Sequence, residues 1–170
     1  YVKNSSASAI CPSGASTGTF EAFEKRDKNN KRYLGKSVLG AINLVNTKIS
    51  KKIKGQSIHN QERIDALMIN LDGTRQKIKL GANAMLAVSM AVKKLSAKVK
   101  KLPLYKTFLV KKNFQLPYPL MNIINGGAHA NNGLRIQEFM IRPDRAKNFS
   151  EAMRISSVSY THLTLPTTVF

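Results

Sequence analysis

The sequence predicts two domains, a first that is built on amphipathic helices and a second that opens with buried strands. Between residues 37 and 101, apolar side chains recur at spacings of three and four, the pattern of helices that bury one face. Tyr118 to Ile124 is then apolar apart from one asparagine, which is typical of a buried strand, and Phe139 to Ile141 is a second apolar run. We place the domain boundary between Val110 and Pro117, where the pattern changes.

Three long helices are predicted before the boundary. The first follows Ser37, and the second begins near Ser57 or Asn60 and ends at Asp72-Gly73. The third is the clearest, because its apolar residues form one stripe and its lysines point away from that stripe. The apolar residues are Val38, Ala41, Ile42, Val45, Ile49 and Ile53 in the first helix, Ile64, Leu67, Met68 and Leu71 in the second, and Met85, Val88, Val92, Leu95 and Val99 in the third, whose outward lysines are Lys93, Lys94, Lys98 and Lys101.

Two shorter helices complete the predicted elements. Pro103 suits the first turn of a short helix that continues through Leu109. After the second strand, Asn148 and Glu151 form a capping pattern for a helix through Ile155.

The amino-acid composition constrains the number of domains and the cellular location. A chain of 170 residues with 42% hydrophobic content can bury a core of its own, so we expect one domain and part of a second. Cys11 is the only cysteine, which rules out an intramolecular disulfide and favours a reducing cytoplasm. The longest apolar stretch, Ala84 to Val92, is far shorter than the roughly 20 residues of a membrane span.

The net charge of +19 comes from 28 lysines and arginines against 9 acidic residues. Such a balance suggests nucleic acid or an acidic surface as a partner. The lysines, however, are spread along the chain and are not interleaved with aromatic residues as in a base-stacking surface. They accompany many asparagine and isoleucine residues, and A/T-rich codons encode all three. We therefore favour mutational drift in an AT-rich genome and expect only weak, non-specific nucleic-acid binding.

Two glycine-rich loops stand out. The first is Pro12-Ser13-Gly14-Ala15-Ser16-Thr17-Gly18, which precedes Glu21-Ala22-Phe23-Glu24-Lys25-Arg26-Asp27. The second is Asn125-Gly126-Gly127-Ala128-His129-Ala130, and Gln137-Glu138-Phe139-Met140-Ile141 begins eight residues after its histidine. Glycines allow positive φ and close backbone approach, so both loops suit a mobile cover over a ligand.

In this order the two loops resemble the enolase family, the phosphopyruvate hydratases of glycolysis. Further similar stretches lie between them, namely Asn70-Leu71-Asp72-Gly73-Thr74, Gly81-Ala82-Asn83-Ala84, Pro103-Leu104-Tyr105 and Pro119-Leu120-Met121-Asn122-Ile123-Ile124. The likeness runs from about Ser13 to Ile155. It implies an α+β N-terminal domain without its opening strands at 1–112 and the first strands of a TIM-like barrel at 113–155. Residues 156–170 carry no charged side chain and are interpreted as a non-family tail.

The resemblance also implies a reaction, the Mg²⁺-dependent, reversible dehydration of 2-phosphoglycerate to phosphoenolpyruvate. It further implies a cytoplasmic homodimer, although members of the family also occur at the bacterial cell surface and outside the cell. Ser16 matches a serine that ligates the second Mg²⁺, and His129 matches a loop histidine that closes over the substrate near its phosphate. Gln137 and Glu138 match a substrate-contacting pair, with Glu138 in the carboxylate network around the leaving hydroxyl.

Three of the four site residues also have a structural interpretation: Ser16 as a turn or helix-capping serine, His129 as an inert exposed histidine, and Glu138 as a strand-end carboxylate in a salt bridge. The matching region stops before the family's second catalytic glutamate, the carboxylates of the first Mg²⁺, the base lysine and the phosphate-binding arginine. We therefore expect the isolated chain to be inactive.

Two alternatives to an enolase fragment stay open. One is a basic RNA- or surface-binding protein that retains enolase sequence, and the other is a truncated gene product without function.

Overall fold

The computed structural model describes residues 1–2, 4–14, 18–28, 32–108 and 114–163. The chain forms two compact units, Tyr1–Val110 and Lys111–Phe170.

The first unit is built on three helical runs. The first run consists of α1 (Leu39–Leu44), a π-helical turn (Val45–Ile49) and α2 (Ser50–Ile53). It is followed by α3 (Gln61–Asp72) and α4 (Ala82–Val99). The three predicted helices are therefore confirmed. A 3₁₀ turn at Tyr33–Gly35 precedes the helices, and a second 3₁₀ turn at Leu104–Phe108 follows them. The second turn lies where the sequence predicts a short helix. The predicted end of that helix, Leu109, lies outside the described residues.

The helix caps explain why these elements begin and end where they do. The Asn60 side chain accepts a hydrogen bond from the Arg63 N–H at 3.0 Å, which caps α3, and Gly73 ends that helix with φ of 65°. The cap of α1 comes from a distant residue, because the Asp27 carboxylate accepts from the Leu39 and Gly40 N–H groups at 2.8 Å each. Hydrogen bonds from the Ser37 hydroxyl and from Gly40 lower the pKa of the Asp27 carboxyl below its ordinary value.

The core of the first unit lies where these helices pack together. Its buried residues come from all three runs and from the loop before α4: Ala41, Ile49, Ile64, Met68, Leu80, Ala84 and Met85. The predicted apolar faces are correct for most positions, but Ile42 is 48% exposed and Val99 is 38% exposed. Lys93 was predicted to point into solvent; instead its ammonium lies 4.7 Å from the centre of the Phe108 ring and donates to the Thr107 carbonyl.

The second unit contains a two-stranded antiparallel sheet. Strand β1 (Met121–Asn125) pairs with β2 (Glu138–Ile141), with Met121 opposite Ile141 and Asn125 opposite Glu138. The barrel prediction places the site residues at the C-terminal ends of parallel strands. Strand β2 runs antiparallel to β1, so the start of β2, and not its end, lies at that edge. A hairpin of this kind brings the start of β2 beside the end of β1, so Glu138 still lies at the C-terminal end of a strand, that of β1.

Helix α5 (Phe149–His162) completes the described part of the second unit. The predicted cap is confirmed, since the Asn148 side chain accepts from the Glu151 N–H at 2.9 Å. The helix does not stop at Ile155 but continues for seven residues, with Ser156 buried and its hydroxyl donating to the Ala152 carbonyl. Residues 164–170 of the predicted tail lie outside the described residues, and its non-family origin stays a prediction.

Candidate functional site

The candidate site is built by the loop that joins β1 to β2. Where β1 ends, the Gly126 N–H donates to the Gln137 carbonyl at 2.9 Å and the Gly127 N–H donates to the Leu134 carbonyl at 2.7 Å. These bonds extend the strand pairing into the loop and close it at its base. The 3₁₀ turn Gly127–His129 follows, and it carries His129 back toward the start of β2.

Gly126 is required here by close packing rather than by its backbone angle. Its φ of −151° is open to any residue. A Cβ at this position, however, would lie 2.3 Å from the Ile136 carbonyl oxygen and 2.6 Å from the Leu134 Cβ. The loop backbone can therefore approach β1 only because residue 126 has no side chain.

Asn132 braces the same loop from within. Its side-chain amide donates to the Asn125 carbonyl at 2.8 Å, and its side-chain oxygen accepts from the Leu134 N–H at 3.2 Å. Asn132 was not predicted as part of the site. The available signal was its residue type, since asparagine next to glycine commonly bonds to nearby backbone in turns.

Three of the four predicted site residues meet at one imidazole ring. His129 Nδ1 lies 2.9 Å from Glu138 Oε1, and His129 Nε2 lies 2.7 Å from Gln137 Nε2. The side chains of His129 and Glu138 are 22% and 31% exposed, so the pair is partly shielded but open to solvent. The contact places an N–H beside a carboxylate, an arrangement that can hold or transfer a proton.

The fourth predicted residue, Ser16, lies outside the described residues, but its loop is described on both sides. The Ser13 hydroxyl donates to Glu24 Oε2 at 2.7 Å, and the other carboxylate oxygen of Glu24 pairs with Arg26. Glu24 and Arg26 border a cavity of about 700 Å³, which Gly14 and Gly18 also line. From the sequence, Glu24 and Arg26 were only part of a motif, and their contact with this loop was not predicted.

The described residues do not form a complete magnesium site. Mg²⁺ requires a near-octahedral set of oxygen ligands. Of the residues at the imidazole, only Gln137 and Glu138 carry side-chain oxygens, and His129 already engages one oxygen of Glu138. In the described ranges, no three His, Cys, Asp or Glu side chains are grouped as metal ligands.

Two protein-family models match successive parts of this chain. The family model for the enolase N-terminal domain matches residues 1–108, and the model for the enolase C-terminal TIM barrel domain matches residues 113–167. The chain belongs to the enolase family. Its fold is accordingly the enolase N-terminal domain and the start of the enolase barrel.

Individual enolases support the same assignment. The chain is 79% identical to a protein named Enolase from Pelagibacter ubique over 163 residues, which are 96% of this chain and 39% of that relative. It is 53% identical to Enolase from Methanococcus maripaludis over 154 residues, which are 91% of this chain and 36% of that relative. The chain thus spans less than two-fifths of the length of these enolases.

The described helices of this enolase chain include none that is both long and apolar enough to cross a membrane.

Proposed function

We propose that this chain is part of a Mg²⁺-dependent enolase that interconverts 2-phosphoglycerate and phosphoenolpyruvate. The observation that carries the proposal is the convergence of Gln137 and Glu138 on His129 at the end of β1. Site residues of β/α barrels cluster at this end of the strands. Family membership supplies the reaction class, a hydro-lyase, and the two substrates.

Dehydration removes a proton from the carbon beside the substrate carboxylate and a hydroxide from the next carbon. In the proposed site, Glu138 assists the second event in its protonated form, which differs from the ionised carboxylate that accepts from His129. It then gives its proton to the leaving hydroxide, so that the products are phosphoenolpyruvate and water. His129 holds an N–H beside the Glu138 carboxylate, and Gln137 contacts the substrate. Removal of the carbon-bound proton is assigned to no residue of this chain.

The metal ions that enolases use stabilise the charged intermediate electrostatically. Among the described residues no complete site for them exists, so the Mg²⁺ requirement and the role of Ser16 as a ligand are proposed for the longer protein. We also propose that this protein is cytoplasmic, which the single Cys11 supports, and that it is a homodimer, as the family resemblance implies.

A chimera tests the function. Residues 1–155 of this chain would replace the corresponding segment of the Pelagibacter relative, to which the chain is 79% identical. We expect the chimera to dehydrate 2-phosphoglycerate in the presence of Mg²⁺ and to lose the activity with EDTA. We expect the isolated 170-residue chain to show no turnover under the same conditions.

The intact Pelagibacter enolase is the control for assay and folding. A folded chimera without activity would contradict the proposal, because the grafted segment would then fail to supply its part of the site. Mg²⁺-dependent turnover by the isolated chain would contradict the expected inactivity.

A further inference from the structure

The two nitrogens of His129 face chemically different partners. Glu138 Oε1, 2.9 Å from Nδ1, can only accept a hydrogen bond when it is ionised, so Nδ1 must carry a proton. Gln137 Nε2, 2.7 Å from the ring Nε2, is an amide nitrogen that can only donate. The ring Nε2 must therefore present its lone pair. The two contacts together specify a neutral imidazole protonated at Nδ1.

This tautomer is the less common one for a histidine in water, where the Nε2–H form predominates. The environment must therefore select it. Glu138 favours it on one side of the ring, because its ionised carboxylate needs an N–H at Nδ1. Gln137 favours it on the other side, because its amide N–H needs the lone pair of Nε2.

We propose that Gln137 is a positioning residue that fixes His129 in the Nδ1–H tautomer and thereby holds the Glu138 carboxylate through Oε1. Among the described residues His129 contacts only Oε1 of Glu138, and no hydrogen bond reaches Oε2. The catalytic consequence rests on the proposed role of Glu138, whereas the tautomer does not depend on it.

The test is ¹⁵N NMR of the histidine rings in the 170-residue chain at one pH, near 8, where an unperturbed imidazole is neutral. Ring nitrogens with and without a proton differ clearly in chemical shift, and the His129 signals are those lost in His129→Asn. We expect a protonated Nδ1 and an unprotonated Nε2 in the unmodified chain. A predominantly Nε2–H ring would overturn the proposal without any variant.

Two variants separate the contributions. Gln137→Met should shift the tautomer ratio about fivefold toward Nε2–H, the ratio set by about 1 kcal/mol for one hydrogen bond. Gln115→Met, at an exposed glutamine of the same unit, should leave the His129 signals unchanged. Spectra of Gln137→Met identical to those of the unmodified chain would overturn the role of Gln137.

A kinetic measurement distinguishes this inference from the proposed function. Introduced into the Pelagibacter chimera, Gln137→Met should lower kcat if Glu138 acts in catalysis. A changed tautomer with unchanged kcat would leave the positioning role intact, and would contradict the catalytic role of Glu138 and the substrate contact proposed for Gln137.

Discussion

At the scale of single residues, two consecutive side chains contact opposite nitrogens of one imidazole. Successive residues of a regular strand point to opposite faces of the sheet, so Gln137 and Glu138 would not share a partner if both belonged to β2. The strand begins at Glu138, and Gln137 belongs to the loop. The regular strand geometry ends at Gln137, although its carbonyl still accepts from the Gly126 N–H, and this lets both side chains reach His129.

The close packing at Gly126 gives a direct prediction. Gly126→Ala places a methyl group against the Ile136 carbonyl and the Leu134 side chain, where 2.3 Å and 2.6 Å are available. Overpacking of this kind costs about 1–3 kcal/mol. The melting temperature of the chain should fall, and amide exchange of β1 and β2 should accelerate.

The matched control is Gly133→Asn in the same loop. Gly133 has φ of 75°, a Cβ added there would meet no atom within 4 Å, and asparagine tolerates this backbone region. The melting temperature of this variant should fall by less than that of Gly126→Ala, because the variant has only the strain of a positive φ and no steric clash. Equal losses for the two variants would contradict the steric role of Gly126.

The site residues themselves were predictable in part. His129, Gln137 and Glu138 were selected by resemblance, and the structure brings them together. Their pairing was not predictable, because it depends on the register of the β1–β2 hairpin and on the loop closure at Gly126. Asn132 was missed for a similar reason: its two bonds to backbone become visible only once the loop path is known.

At the scale of elements, the loop between α3 and α4 is organised by one buried carboxylate. Asp72 has no exposed surface, and it accepts hydrogen bonds from the Thr74 N–H at 3.0 Å and from the Leu80 N–H at 2.7 Å. Burial raises the pKa of this carboxyl, but the bonds from the Thr74 hydroxyl and from the Leu80, Thr74 and Lys79 N–H groups lower it by more in sum.

This balance predicts a pH dependence of stability. A carboxyl whose pKa is lower in the folded chain than in the unfolded chain stabilises the fold above the unfolded value, about 3.9, and loses that contribution as the pH falls through the folded value. In urea unfolding, the free energy of unfolding should decline as the pH drops below about 4.

Asp72→Asn tests the origin of that decline. The substitution replaces an acceptor oxygen by a donor, leaves buried N–H groups without a partner, and should cost about 1–3 kcal/mol at neutral pH. It should also flatten the acid decline. Glu62→Gln, an exposed carboxylate in the first turn of α3, is the control. An unchanged acid decline in Asp72→Asn would show that another group causes it.

Helix positions were more predictable than contacts between elements. The apolar periodicity located α3 and α4, and the residues Asn60, Gly73 and Asn148 marked caps that the structure confirms. The cap of α1 could not be foreseen, because it comes from Asp27, twelve residues before Leu39. The continuation of α5 to His162 was missed because the absence of charge in that segment was weighed above its capacity to extend a helix.

At the scale of the whole molecule, the net charge of +19 predicts polyanion binding of a particular kind. Scattered lysines bind phosphates by releasing counterions, so the affinity should fall steeply with salt and should not depend on sequence. Electrophoretic mobility shift with two RNAs of equal length and unrelated sequence, at about 50 and 200 mM salt, should show equal affinities that weaken together.

Poly-glutamate provides a control for charge without nucleotides. A preference of about 10³-fold or more for one RNA at physiological salt would favour a dedicated nucleic-acid site over incidental charge. That outcome would support the alternative of a basic RNA-binding protein.

The whole-molecule assignment also shows where sequence reasoning was strongest. Ordered motifs spread over most of the chain indicated enolase, and the two family models confirm it for both predicted domains. The roles of Ser16, His129, Gln137 and Glu138 stay predictions, because a role depends on the substrate and metal positions that the other three-fifths of an enolase help to define.

The kcat of Glu138→Gln in the Pelagibacter chimera is the most direct test of the proposed site. The substitution keeps the side-chain shape but removes the charge and the capacity to transfer a proton, so kcat should fall by about 10²–10⁴. KM and the melting temperature should change little. Glu62→Gln, at an exposed carboxylate of α3, should leave all three quantities unchanged. A Glu138→Gln chimera with a lowered melting temperature and a kcat within a few-fold of the parent would show that Glu138 is only a salt-bridge partner of His129.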